Sequence, residues 1–415
     1  MDTTFFDRYP MPTRRTVLDN GLTVLTTETG SKFAYCELVI ETGGVHDDPD
    51  CQGAAHFLEH IVSGGEGRND HPLLLDIWKK GVRFNASTSD ACTSYHLEGL
   101  AEDIDEMITI LFKMVFEPTI TSAGVEAERS VIRAEYHRRR PAFEIDRWRF
   151  EQMFAPESPW RHLLPIGDEA GIEAIDVGNL QSRWARDYYP ENMALIVTGG
   201  IAHQRVLDLS ATFSVNPTAR KRKERIKSET RFVEAELVQP IPSMTPVVQC
   251  YWKYQKDGRF IHPVDDVRTL LTHGRLGLLY KRLRTDLGKA YAVSSRQEKR
   301  HRQLWVETQV SIEDVGVVAQ EARRALRDIV SNGISTDDWQ VMRRLEQISL
   351  HAEEDGYRGP RSYPIWADFL QSAWMRNHYG FGAAPEETPM TVDEVIACAE
   401  ALSEAPYGQL VIRPG

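Results

Sequence analysis

Two histidines, His56 and His60, lie four residues apart in the stretch GAAHFLEHIVSGG, with Glu59 immediately before the second. A helix advances about 100° per residue, so His56, Glu59, His60 and Ser63 fall on one narrow arc. Ala54, Ala55, Phe57, Leu58, Ile61 and Val62 fill the opposite side, and Gly64 and Gly65 read as the stop. Imidazoles at i and i+4 are neighbours on a helix face and can reach one cation. A hydrolytic zinc site needs three protein ligands and an open position, so a third ligand is required. The stretch GVEAERSVIRAEYHRRR offers one, because Glu128, Val131, Ile132 and Glu135 recur at helical spacing. Carboxylates turned inward with an apolar pair are costly without a cation. A bound metal would offset that cost, and so would Arg129 or Arg133. Taken singly, the histidine pair reads equally as a surface coincidence among 13 histidines, and each glutamate as a solvated partner of an arginine. One metal site accounts for all of them together.

Other elements must position these groups. LDNGLTVLTTETG followed by YCELVIETGG reads as a hairpin and then a strand. PLLLDIWKKG predicts a helix, TSYHLEGL a strand, and AEDIDEMITILFKMVF an amphipathic helix. The helix carrying Glu135 is expected to stop before Pro141, since the residue preceding a proline avoids helical geometry. NMALIVTGG reads as a buried strand. After a polar, charged stretch (217–230) that reads as a linker, the order restarts. TPVVQCYWKY predicts a strand, LTHGRLGLLYKRLRTDLG a single helix, KAYAVSSRQ and QLWVETQVSI strands, and YGQLVIRPG a closing strand. The reading is α+β: two similar domains, 1–216 and 231–415, each a mostly antiparallel sheet packed with helices.

The chain has 415 residues, 41% of them hydrophobic, enough for sizeable cores. Its net charge of −12 argues against a nucleic-acid partner. No apolar run approaches the roughly 18 residues of a membrane helix. MDTTFFDRYPMPTRR has neither an apolar signal core nor transit-peptide character, so a cytoplasmic location is expected. Cys36, Cys51, Cys92, Cys250 and Cys398 are scattered and odd in number, and read as free thiols.

H-x-x-E-H is the inverted zinc motif, and its surroundings resemble the pitrilysin/insulinase family of zinc metallopeptidases, in the short-chain form similar to mitochondrial processing peptidase subunits. LDNGLTV resembles the family's opening strand, GAAHFLEHIVSGG its zinc helix, and FNASTSDACTSYH the edge strand beside the site. ERSVIRAE resembles the helix with the third ligand, YYPENMALIVTGG the strand closing the first domain, and RLRTDLGKAYAV a motif of the second.

The resemblance implies that His56, His60 and Glu135 bind one Zn2+ per chain. Glu59 would take a proton from water at the metal and pass it to the leaving amine. Glu128 would support the metal helix without touching the ion. Asn85, Ala86 and Ser87 would line an extended peptide substrate through main-chain bonds, and Arg284 with Tyr291 would hold it and polarise the scissile carbonyl. Because one chain carries both the zinc motif and the arginine–tyrosine pair, the resemblance favours a homodimeric chamber. A heterodimer, or a non-catalytic peptide-binding subunit, is the alternative. Two segments depart from the family pattern. GGVHDDP replaces a GSRYE-like stretch, leaving that glutamate's role unassigned, and SGGEGRNDHP replaces an FKGT-like turn. His46 and His71 beside them read as loop histidines, with extra metal ligands the alternative.

Overall fold

The computed structural model describes residues 3–5, 13–64, 72–213, 226, 229–239, 245–255, 263–298, 301–357, 363–378 and 390–414. His71 and nearly all of the expected linker lie outside them. Strands run β1 Thr3–Phe5, β2 Thr13–Val17, β3 Thr23–Glu28, β4 Phe33–Ile40, β5 Arg83–Thr88, β6 Thr93–Leu100 and β7 Met193–Gly199 in the first half. With them come helices α1 Ala54–Gly64, α2 Pro72–Trp78, α3 Ile104–Phe116, α4 Ser122–Met153, α5 Glu169–Ala174, α6 Val177–Asp187 and α7 His203–Ala211. The second half has strands β8 Glu234–Gln239, β9 Val247–Lys253, β10 Val293–Glu298, β11 Gln303–Gln309 and β12 Tyr407–Pro414. Its helices are α8 Pro263–Thr272, α9 Leu278–Tyr280, α10 Val315–Asn332, α11 Thr336–Tyr357, α12 Tyr363–His378 and α13 Val392–Glu404.

The chain forms two compact units, and neither is contiguous in sequence. The first gathers residues 1–144, 163–226 and 351–381; the second gathers 145–162, 227–350 and 382–415. Each is built on a mixed sheet. The first unit's order is β1-β2-β3-β7-β4-β6-β5, antiparallel except where β3 meets β7. The second unit's order is β10-β11-β9-β12-β8, antiparallel except where β12 meets β8. Both are α+β.

Strand alternation decides what each face carries. Ala34, Cys36, Leu38 and Ile40 of β4 enter the first core with Phe57, Leu58 and Ile61 of α1 and Met107, Ile108 and Leu111 of α3. Tyr35, Glu37 and Val39 take the other face, where α12 packs on β4 and β7. In the second unit Val248, Cys250, Trp252, Leu304 and Val306 meet α8, α10 and α13. On the opposite face Tyr251 stacks on Trp305 with ring centres 4.7 Å apart. The five cysteines are free thiols, as expected.

Three local expectations are corrected. Helix α4 does not stop before Pro141 but continues to Met153. Proline removes one helical hydrogen bond, and burial beyond it is larger: Phe143 joins the first core, while Met153 and Phe154 are buried in the second unit. The single helix expected across Leu271–Gly288 is broken. A β-carbon on Gly277 would lie 2.7 Å from the Leu271 carbonyl oxygen, so the chain turns tightly there, and residues Lys281–Asp286 then form a π-helical turn. Val131, expected on the inner stripe of α4, is exposed.

Candidate metal centre

Helix α1 buries Phe57, Leu58, Ile61 and Val62 against the sheet, which turns the polar arc toward α4. From α4, Ile132 is fully buried and anchors the register that brings Glu128 and Glu135 over the two histidines. The Nε2 atoms of His56 and His60 each lie 3.7 Å from Oε2 of Glu135. These three atoms sit within 4.8 Å of one another. A distance of 3.7 Å is too long for a hydrogen bond. It is close to the edge of a tetrahedron with bonds of about 2.1 Å, roughly 3.4 Å, the spacing of two ligands sharing a zinc ion. The donor set of two imidazoles and one carboxylate also suits that metal.

Partners set the tautomer. Nδ1 of His60 donates to Oε2 of Glu128 at 3.1 Å, so that in the neutral imidazole Nε2 is the nitrogen with a lone pair, on the side of Glu135. Glu128 is itself buried. The Nδ1 of His56 is buried with no partner among the described residues. Arg129 and Arg133, the arginines weighed as alternatives to a metal, are committed elsewhere. Arg129 donates to Glu126 and to the carbonyls of Ile172, Glu173 and Ile175, and Arg133 pairs with Glu173. Arg139, one turn on, reaches Glu135 at 3.4 Å.

The two histidines differ in their affinity for protons. Burial, then the like charge of His60, drives His56 toward the neutral form. Burial also opposes charge on His60, but its hydrogen bond to Glu128 and the nearby carboxyls of Glu135 and Glu59 outweigh it and raise the group to about 9. The His60 imidazole in turn holds Glu135 below the ordinary carboxylate range. Two imidazoles that face carboxyl groups in this way suit a dication, with both imidazoles neutral.

Glu59 stands apart from this trio. Its Oε2 is 4.0 Å from Nε2 of His56 and accepts a hydrogen bond from Oγ1 of Thr88 at 3.1 Å. Burial pushes its carboxyl up to about 7, against the pull of His60 and Thr88. A carboxylate beside the ligands yet outside them, with an affinity for protons near neutrality, is suited to proton transfer.

Thr88 ends β5, which pairs only with β6 among the described strands and forms the sheet's edge. Asn85 and Ser87 are exposed on one face of it, with Ser87 Oγ 3.2 Å from Ser94 Oγ; Ala86 packs against the core on the other. Arg284 and Tyr291 lie in the second unit. The Arg284 guanidinium sits 4.5 Å from the Tyr291 ring centre and donates to the Tyr291 carbonyl, while the tyrosine ring is 80% exposed. His46 is not among the clustered candidate ligands; its Nδ1 accepts from the Gly43 N–H at 3.2 Å.

Sequence reasoning missed Thr88 and Arg139. Arg139 was findable as the i+4 neighbour of Glu135; Thr88 becomes visible only when β5 is set against α1.

Comparison with known proteins gives two successive family matches, of which the second runs through parts of both units. Residues 23–144 match the family described as insulinase (peptidase family M16), and residues 174–345 match the peptidase M16 inactive domain. The beta subunit of the mitochondrial-processing peptidase from Lentinula edodes is 29% identical over 245 residues, which cover 54% of this chain and 51% of that one. The corresponding subunit from Bos taurus is 27% identical over 199 residues, covering 48% and 41%. The matched segment thus spans about half the length of these relatives or less. A protease from Helicobacter pylori superposes with a TM-score of 0.77 at 15% identity, over 97% of this chain and all of that one. A peptidase M16 inactive domain from Pseudomonas fluorescens superposes with a TM-score of 0.79 at 14% identity, over 97% and 98%. At such identities the likeness is one of fold alone.

Proposed function

The chain belongs to the insulinase (M16) peptidase family, and from that membership we propose that it is a zinc-dependent endopeptidase cutting extended peptides. The observation that carries the reading is the convergence of His56 Nε2, His60 Nε2 and Glu135 Oε2. Zinc, when bound, supplies Lewis-acid polarisation of water and of a peptide carbonyl. The chain's own residues do the rest. His60 is held in its ligating tautomer by Glu128. Glu59, oriented by Thr88, takes the proton from the attacking water and returns it to the departing amine. The free edge of β5 offers main-chain groups to an extended substrate, and Asn85 and Ser87 meet its side chains. Arg284 and Tyr291 supply a cation and a phenol for the substrate carbonyl. Their presence in the same chain as the zinc motif supports a homodimer whose chamber is completed by two copies.

A second reading, a subunit active only beside a different chain, has one observation in its favour: the curated relatives are each described as a subunit of a larger peptidase. Metal analysis and cleavage of an unstructured peptide separate the readings. The proposed function expects about one zinc per chain and turnover by the purified protein, both lost in His60→Ala. A His60→Ala protein that keeps its zinc removes the ligand assignment. A wild type with zinc but no turnover favours the partner-dependent subunit.

A further inference from the structure

The segment GGVHDDP, which departs from the family pattern, lies between β4 and α1. The first N–H groups of any helix have no acceptor within it. In α1 they are met from outside: Asp47 Oδ2 accepts from the Gly53 N–H at 2.6 Å, and Oδ1 accepts from the Ala55 N–H at 3.0 Å. The first helical bond, from Phe57 N–H to the Gly53 carbonyl, follows at once, so His56 sits inside the turn that Asp47 caps. Gly53 has φ +92°, and a β-carbon there would meet the Ile166 carbonyl oxygen at 2.5 Å. The turn is thus held from two sides.

Asp47 is held in turn by Arg183 of α6, at 2.7 Å, and the two side chains are 2% and 3% exposed. The same guanidinium donates to Thr42 Oγ1 at 2.9 Å and to the carbonyls of Gly43 and His46 at 3.1 Å. Asp187 lies behind it, its Oδ2 accepting from Thr42 Oγ1 at 2.8 Å and standing 3.7 Å from Arg183 Nε. A buried ion pair is weak evidence of stabilisation, since desolvation consumes much of the attraction. What it supplies is direction: a planar fork with fixed bond angles. Here those bonds run from α6 through the whole 42–47 segment to the first turn of α1.

We propose that Asp47 and Arg183 are positioning residues for the metal helix, fixing its first turn and so the place of His56 relative to His60 and Glu135. The proposal rests on the zinc reading above. Helix α1 is already oriented by its apolar face. The clamp adds what apolar packing leaves loose, the rotation and rise of the terminal turn, where one misplaced ligand weakens the whole site.

The test measures zinc affinity by competition with a chromophoric chelator, and the unfolding midpoint of each metal-free protein. Asp47→Asn keeps the shape but turns an N–H toward a donor, and Arg183→Lys keeps the charge but loses the fork. Leu111→Ala, in the same core but remote from α1's first turn, controls for general loosening. Zinc affinity should fall about tenfold or more in the first two, the usual scale for groups that orient ligands, and change by less than about twofold in Leu111→Ala. Asp47→Asn that binds zinc as well as Leu111→Ala does would overturn the proposal. If Asp47→Asn does not fold, Thr42→Val, which removes one hydroxyl from the clamp, makes the same comparison with an expected loss of about threefold. Should wild type and His60→Ala bind zinc alike, the zinc reading fails on its own. Amide exchange at Ala55, His56 and Phe57 then decides: faster in the clamp variants than in Leu111→Ala supports the clamp, equal rates refute it.

Discussion

Glu37 should make the first unit's stability fall as pH rises through neutrality. The residue lies on β4, 3% exposed, on the face that α12 covers, with Oε2 unpartnered among the described residues. Burial raises its carboxyl to about 7 from an ordinary 4.5, and Asp368 of α12 adds to the rise. Hydrogen bonds from Ser94 and Tyr35 oppose it without prevailing. His96, its antiparallel partner on β6, gives no help as a cation, because burial lowers its own proton affinity. The folded state therefore binds a proton at pH values where the unfolded chain has released it. The contribution to stability is complete below about 4.5 and is lost as pH rises through 7. The gap between 4.5 and about 7 is worth about 3 kcal/mol. Glu37→Gln abolishes the titration and keeps the shape. Urea unfolding across pH 4 to 8 should show the variant gaining on wild type by about 3 kcal/mol, nearly all of it above pH 4.5. A wild-type-minus-variant difference that stays flat with pH would refute the argument.

Glu59→Gln should lower peptide hydrolysis by about 10²–10⁴-fold with zinc content unchanged, because the side chain lies outside the ligand trio; near-normal turnover would dismiss it as the base. Glu128→Gln should weaken zinc binding by about tenfold, as it trades a carboxylate acceptor for an amide on His60 Nδ1, and direct metal titration reads this. Two inactive proteins, Glu59→Gln and Arg284→Ala/Tyr291→Phe, should recover about a quarter of wild-type activity when co-expressed, if two copies complete each other's sites. Mixed dimers that form and restore nothing would place the whole site in one chain or in a different partner.

The convergence of His56, His60 and Glu135 was legible because helical periodicity is a local property. The spacing of His56 and His60 puts both on one face of α1, and the wheel of α4 aligns Glu128 with Glu135. Most strands were legible for the same reason, through alternation and glycine stops, whereas the edge strands β1 and β8 were not read. What escaped depended on contacts distant in sequence. Pro141 carries a strong local stop signal, yet aromatic burial further along keeps α4 helical to Met153. Gly277 looked tolerable inside a helix until the Leu271 carbonyl is found against it. The inward tilt of Asp47 is invisible without Arg183, 136 positions away in α6. The non-contiguous make-up of the two units belongs to the same class, since no composition change marks residues 145–162 or 351–381.

That interleaving has a consequence for synthesis on the ribosome. When residue 226 has emerged, one face of the first sheet is packed by α1 and α3, but Tyr35, Val39 and Ile196 on the other face have no cover. Their cover is α12, through Tyr363, Ala367, Leu370 and Trp374. It is translated about 140 codons later, a delay of roughly 7–30 s at ordinary elongation rates. For that interval this face, with Tyr35, Val39 and Ile196 beside the carboxyl of Glu37, lacks the helix that covers it in the folded protein. The first unit can therefore complete its packing only after Trp374 has been made, so the order of the polypeptide sets a lower limit on how early this unit folds.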